Sequence, residues 1–280
     1  DVAEVCDGTS PACPADDLEP AGTECRAAAG ECDLAESCSG VDAECPADAF
    51  VAEGAACSDD TDPCTLDECD GAGACAHVLL PDSDGDTVCD AQDVCTNVDG
   101  ARSFLQKPRP KLIVARINTD TTPGNDRVVL RGNFVLPAGT SFGDLDPSSR
   151  GARVALRSAA GEVRLDQILP AGAYAGETRR GWKTNAAGNL WQYLDRSATP
   201  LSGITGVKVL DRSRSAPGHV RVILTGKRST YPVVAGDEPL AAAIALGNQS
   251  DAAAGLCGET GFLAGDCAFN GSGNQVTCKR

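Results

Sequence analysis

The chain has 280 residues, 40 carboxylates against 24 lysines and arginines for a net charge of −16, and 15 cysteines with no methionine. So many cysteines do not suit a reducing cytosol unless they bind metal, and only two histidines are present to share that role; no C-x-x-C spacing occurs, which argues against zinc ribbons and c-type haem. The acidity argues against nucleic acid or an anionic membrane as partner of the whole chain, and no apolar run approaches the ~18–20 residues of a membrane span. No secretory leader is visible, and the chain reads as a processed piece of a secreted or cell-surface protein.

The totals hide a split. Residues 1–100 carry 26 carboxylates and one basic side chain, Arg26, for −25; residues 101–280 carry 14 and 23, for +9. Twelve of the 15 cysteines lie in the first part, and Phe50 is its lone aromatic residue. Such a segment cannot build an ordinary core and needs covalent or metal staples. An acidic, stapled arm followed by a basic globular domain is expected. The linker is placed at 101–110, where Pro108 and Pro110 favour extended backbone.

The arm begins with a tandem repeat at an offset of 32 residues. Asp1-Val-Ala-Glu-Val-Cys6 matches Asp33-Leu-Ala-Glu-Ser-Cys38, and Cys13-Pro-Ala-Asp16 matches Cys45-Pro-Ala-Asp48. In this register the residue before Asp1 is expected to be a cysteine, so the first repeat reads as truncated and a cysteine is expected to lack its partner. Through Ala21-Gly-Thr-Glu-Cys-Arg26, Glu31-Cys-Asp33 and Cys45-Pro-Ala-Asp48, residues 1–57 resemble the disintegrin domain of the metalloprotease–disintegrin family. No Arg-Gly-Asp occurs, so the likeness is taken as structural rather than as integrin binding. It implies a calcium ion held by Asp33, the Leu34 carbonyl, Glu36 and Asp48, with an equivalent set at Asp1, Glu4 and Asp16. Clustered hard oxygen donors fit that chemistry.

Residues 58–81 form a further cysteine-rich module. Asp62-Pro-Cys-Thr-Leu-Asp-Glu-Cys-Asp70 resembles the CTDC repeat of slime-mould extracellular-matrix proteins. Asp59, Asp60 and Asp62 suit either a cation site or a solvated turn, and His77 reads as a surface residue.

Residues 82–100 carry the strongest motif, Asp82-Ser-Asp84-Gly-Asp86-Thr-Val88-Cys-Asp90-Ala-Gln-Asp93. Carboxylates fall at positions 1, 3, 5, 9 and 12 of a twelve-residue calcium loop, with the Val88 carbonyl at position 7. Thr87 stands at position 6, where a sharp turn favours glycine. Five carboxylates this close repel one another without a cation, so the metal-bound state is expected to be the folded one. The segment resembles a thrombospondin type 3 repeat.

From Lys111 onward short alternating runs, bounded by turns, predict eight to ten strands of an antiparallel β-sandwich over 111–280. The runs fall at 111–117, 127–135, 152–157, 162–169, 206–210, 220–224 and 240–246. Trp182 and Trp191 flank a hairpin turn at 186–189, and packing is favoured over a sugar platform. Of Cys257, Cys267 and Cys278, two are expected to pair and the third to join the arm or another chain. The domain resembles, without any assigned activity, C-terminal domains that accompany cysteine-rich repeats in secreted bacterial proteins; high Ala, Gly and Arg with little Lys suits a high-GC bacterial source.

Gly139-Thr-Ser141-Phe-Gly143 fits the G-x-S-x-G pattern, with Asp211 and His219 downstream. That pattern needs a strand–turn–helix in an α/β sheet, and Ser141 sits in a Gly/Pro/Asp-rich turn. A serine hydrolase is therefore the remote alternative, and the chain is not read as an enzyme. The leading expectation is a secreted, calcium-binding structural protein, a filament or matrix subunit whose acidic arm meets the basic domain of another copy head to tail. The runner-up is an adhesin that binds carbohydrate, protein or another surface or matrix ligand.

Overall fold

The computed structural model describes residues 8–9, 17–62, 64–83, 89–96, 104, 109–117 and 124–280. The chain divides into two compact units, Asp1–Pro81 and Asp82–Arg280. The division thus precedes the acidic loop, whereas composition and the two prolines place it in the 101–110 segment. The reason is packing: Val94, Cys95 and Phe104 are buried in the second unit.

The first unit has little regular structure. Strands β1 (Glu24–Arg26) and β2 (Glu36–Ser37) form one antiparallel pair, and β3 (Thr65–Cys69) and β4 (Cys75–Leu79) form a hairpin. Disulfides replace an apolar core, joining Cys25 to Cys45, Cys32 to Cys69 and Cys57 to Cys75. Cys57 follows Cys25 by the 32-residue period, and each bonds a cysteine about one half-repeat further on, 18 and 20 residues away respectively. The Cys32–Cys69 bond, like Cys57–Cys75, reaches into the 58–81 module. Among the described cysteines Cys38 is free. Gly73 allows close approach of the Phe50 ring, since a Cβ there would stand 2.9 Å from it.

The second unit is almost entirely antiparallel β. Its large sheet has eight strands in the order β15-β16-β5-β6-β12-β11-β10-β9. These are β5 (Lys111–Ala115), β6 (Asp126–Val135), β9 (Arg180–Thr184), β10 (Leu190–Asp195), β11 (Ile204–Asp211), β12 (His219–Ser229), β15 (Cys267–Phe269) and β16 (Gln275–Lys279). The smaller sheet orders β14 (Cys257–Gly261), β13 (Ala241–Ala245), β7 (Ala152–Arg157) and β8 (Val163–Leu169). Every expected run is a strand. The described count is higher because β9, β14, β15 and β16 are short and carry Gly, Thr or Cys, without a clean apolar alternation.

Period-two alternation puts Leu112, Val114, Val128, Leu130, Val222 and Leu224 on the inward face of the large sheet. Val154, Leu156, Ala242 and Ile244 occupy the inward face of the small one, and all join a single core. Trp182 lies there against Tyr193, centroids 5.3 Å apart, and donates its indole N–H to the Pro170 carbonyl at 3.0 Å. Trp191 is partly buried against the same core, so both tryptophans pack. The turn between β9 and β10 closes through Gly188 N–H to Asn185 O at 3.0 Å, with Gly188 at φ +63°.

The small sheet's other face is also covered. Its outward positions include Ala155, Ala243 and Ala245, which cluster with Val94 and Cys95. Alanines there leave room for the 93–96 segment to lie against the strands. Cys95 is bonded to Cys257 and Cys267 to Cys278. The terminal trio therefore resolves as one internal pair and one bond to the segment following the acidic loop.

Candidate calcium sites

In the first unit Asp33 and Glu36 are buried, at 9% and 6% exposure. Asp33 accepts the N–H of Ala29 at 2.6 Å and of Leu34 at 2.9 Å. Leu34 N–H also donates to Ala49 O at 3.1 Å. Glu36 accepts the N–H of Ala49 at 2.8 Å and faces Arg26 at 3.2 Å; Arg26 also reaches Asp48 at 2.8 Å. Glu36 and Asp48 thus share one cation, the guanidinium of Arg26, whose pKa is raised by the Asp48 hydrogen bond and the nearby carboxylate charges against a smaller desolvation effect. Asp33, Glu36 and Asp48 do not bring one oxygen each to a common point. The equivalent Asp1, Glu4 and Asp16 lie outside the described residues.

Three donors do converge elsewhere in this unit. Asp60, Asp67 and His77 place their ligand atoms within 4.8 Å of one another. Asp67 and His77 are register partners across the β3–β4 hairpin, and His77 Nδ1 stands 2.6 Å from Asp67 and 3.6 Å from Asp60. The Asp67 hydrogen bond raises the imidazole pKa above its ordinary value; partial desolvation opposes it, and the charges of Asp60, Asp67 and Glu31 reinforce it. The residue types alone do not announce this group, because the hairpin register is what joins residues ten apart.

The loop predicted from the Asp82–Asp93 spacing belongs to the second unit. Asp84, Asp86 and Val88 lie outside the described residues; Asp82, Asp90 and Asp93 lie within them. Asp90 accepts the N–H of Ser83 at 2.8 Å and its hydroxyl at 2.6 Å, which joins the second and ninth positions of the loop. Gln92 and Asp93 both donate their N–H to Cys89 O at 2.8 Å, a tight turn that leads into Asp93. Asp93 is 4% exposed and accepts the N–H of Cys95 at 2.9 Å. Arg153 donates to Asp93 O at 3.3 Å while gripping Asp166 through two bonds, and Arg157 donates to Gln92 O. With Cys95–Cys257 these contacts fix the loop's C-terminal end to β7 and β14.

No protein family, curated protein or solved structure matches this chain.

The donor chemistry of the loop fits a hard cation. Its five side chains in the twelve-residue spacing offer oxygen only, and one of them, Asp93, is already withdrawn from water on a fixed scaffold. Sequence reasoning missed that scaffold, although alanine at outward positions of β13 is the signal of a covered sheet face. Ser141, the candidate nucleophile, donates its hydroxyl to Asp144 at 2.8 Å and starts a short 3₁₀ turn, Phe142–Asp144. Asp211 accepts the N–H of Ser213 at 2.8 Å, and His219 pairs with Val135 at the start of β12.

Proposed function

We propose that the chain is a secreted, calcium-stapled structural protein, a subunit of an extracellular filament or matrix. The supporting observation is the acidic loop, whose last ligand position, Asp93, is buried and fastened to the β unit by Arg153, Arg157 and Cys95–Cys257. In this reading Asp82, Asp84, Asp86, Asp90, Asp93 and the Val88 carbonyl hold calcium, and the ion relieves their mutual repulsion. Asp33, Leu34, Glu36 and Asp48, with Asp1, Glu4 and Asp16, are second-rank sites, since Arg26 already neutralises part of the first set. The two facing sheets serve as a rigid sandwich body, and the disulfides suit an oxidising, extracellular setting. The disintegrin-like, CTDC-like and thrombospondin type 3-like readings of the modules accord with this role. Calorimetry of the full chain with calcium and with a chelator tests it. Calcium at a hundred times its Kd is expected to stabilise the second unit by about 2.7 kcal/mol, and Asp93→Asn to remove most of that gain. Identical melting with and without calcium sinks the reading.

A second reading, an adhesin, draws on a cavity of about 570 Å³ beside the loop, lined by Asp93, Arg157, Ala243, Glu259 and Phe262 among others. Glycan-array binding by a chain that stays single in solution would favour it.

A further inference from the structure

The second unit carries 23 basic and 20 acidic side chains, a modest +3, yet its charges are sorted by surface. On the large sheet the outward positions of β5, β6, β9, β11, β12 and β16 include Lys111, Arg127, Arg131, Lys183, Lys208, Arg221, Lys227 and Lys279. No outward position of this sheet carries Asp or Glu, and among the described residues none of these eight side chains makes an ion pair.

The strand register arranges them further. Lys279 stands opposite Lys111, Lys111 opposite Arg131, Arg131 opposite Ile223, and Ile223 opposite Lys208. Lys208 then faces Gln192, and Gln192 faces Lys183. One transverse row across seven strands therefore holds five cations, over about 29 Å at the usual ~4.8 Å strand spacing. Like charges directly opposite one another destabilise a sheet, so Lys279, Lys111 and Arg131 side by side work against the fold. Lys183 has one neighbouring attraction, lying 5.8 Å from the Tyr174 ring centroid.

We propose that this face is a docking surface for the acidic cysteine-rich unit of a second copy of the chain. The proposal rests on the assembly reading above and names the surface that assembly uses. The argument for the occupant is charge: residues 1–81 carry twenty carboxylates and one arginine, a net −19. Each copy thus presents one strongly anionic unit and one uncompensated cationic face. Because the two patches differ, the contact is heterologous and leaves each copy with a free anionic unit and a free face, the condition for a growing row.

Sedimentation velocity of the full chain across a concentration series reads the outcome. At low salt the wild-type chain is expected to form larger species as concentration rises, and ~0.5 M NaCl to dissolve them, since exposed charges are then screened within a few ångströms. Lys111→Glu/Arg131→Glu/Lys208→Glu is expected to associate at least tenfold more weakly, and Lys183→Glu/Lys279→Glu, at the ends of the row, to weaken it too. Arg179→Glu/Arg196→Glu/Arg214→Glu makes the same charge change off the row and is expected to retain association. Equal loss in that control, or a wild-type chain that stays single throughout, overturns the proposal. So do cross-links joining the row only to the acidic unit of its own chain, or a sulfated glycan binding the row of a chain that does not self-associate. Association that persists under chelation, with unchanged melting, would sink the calcium reading and leave this one standing.

Discussion

Arg26 is the single basic side chain among the first 81 residues, and it lies between Glu36 and Asp48. Calcium at that cluster would have to displace a guanidinium that is covalently present at high local concentration, whereas the 82–93 loop has no basic residue within it. That difference ranks the loop first. His77 too has a state that depends on its neighbours. Its pKa is raised, chiefly by the hydrogen bond to Asp67, so the charged pair stabilises the hairpin below the ordinary imidazole value of about 6.5 and that gain fades as pH rises through the higher folded value. Proton NMR titration of the full chain is expected to place the His77 midpoint above that of a free imidazole, and Asp67→Asn to lower it. An unshifted midpoint in the variant would show that Asp67 is not the cause.

Strands are where the sequence was most legible, since alternation alone locates β5 to β8 and β11 to β13. It could not reveal the anchoring of residues that precede the domain, because those contacts are remote along the chain and rest on small side chains rather than on a pattern. Phe104 shows this. Its ring stacks on Phe134 at 6.2 Å, and its N–H donates to Glu259 O at 2.7 Å. Space for the two rings is made by Gly132 and Gly258: a Cβ on Gly132 would stand 2.2 Å from Phe104, and one on Gly258 would stand 2.5 Å from Phe134. Gly258→Ala is accordingly expected to cost about 1–3 kcal/mol through overpacking, read by chemical denaturation. A neutral result would mean that the rings can move apart. At the candidate site the carboxylate spacing was legible and its mounting was not; alanines at outward strand positions, where polar residues are usual, were the available clue.

Across the whole molecule the composition divides the chain after Gly100, while packing divides it after Pro81. The two criteria differ because charge follows the acidic motifs and packing follows the disulfides. The acidic loop carries charge like the first unit, while the segment that follows it, Val94 and Cys95, packs in the second. An ion bound there would therefore act on the stability of the β unit, which is why calorimetry rather than a local probe is the decisive measurement.

The Cys95–Cys257 bond, which spans 162 residues of sequence, also has a mechanical consequence. Tension applied between the two ends of the chain would pass through that bond once β16 has peeled from β5, and the backbone between the two cysteines could not pay out. The chain under load would then keep roughly 550 Å of contour length in reserve, at ~3.4 Å per residue. Single-molecule pulling is expected to release that length only after reduction, so that in an oxidising medium the body behaves as an inextensible link, and in a reducing one as a long, compliant tether.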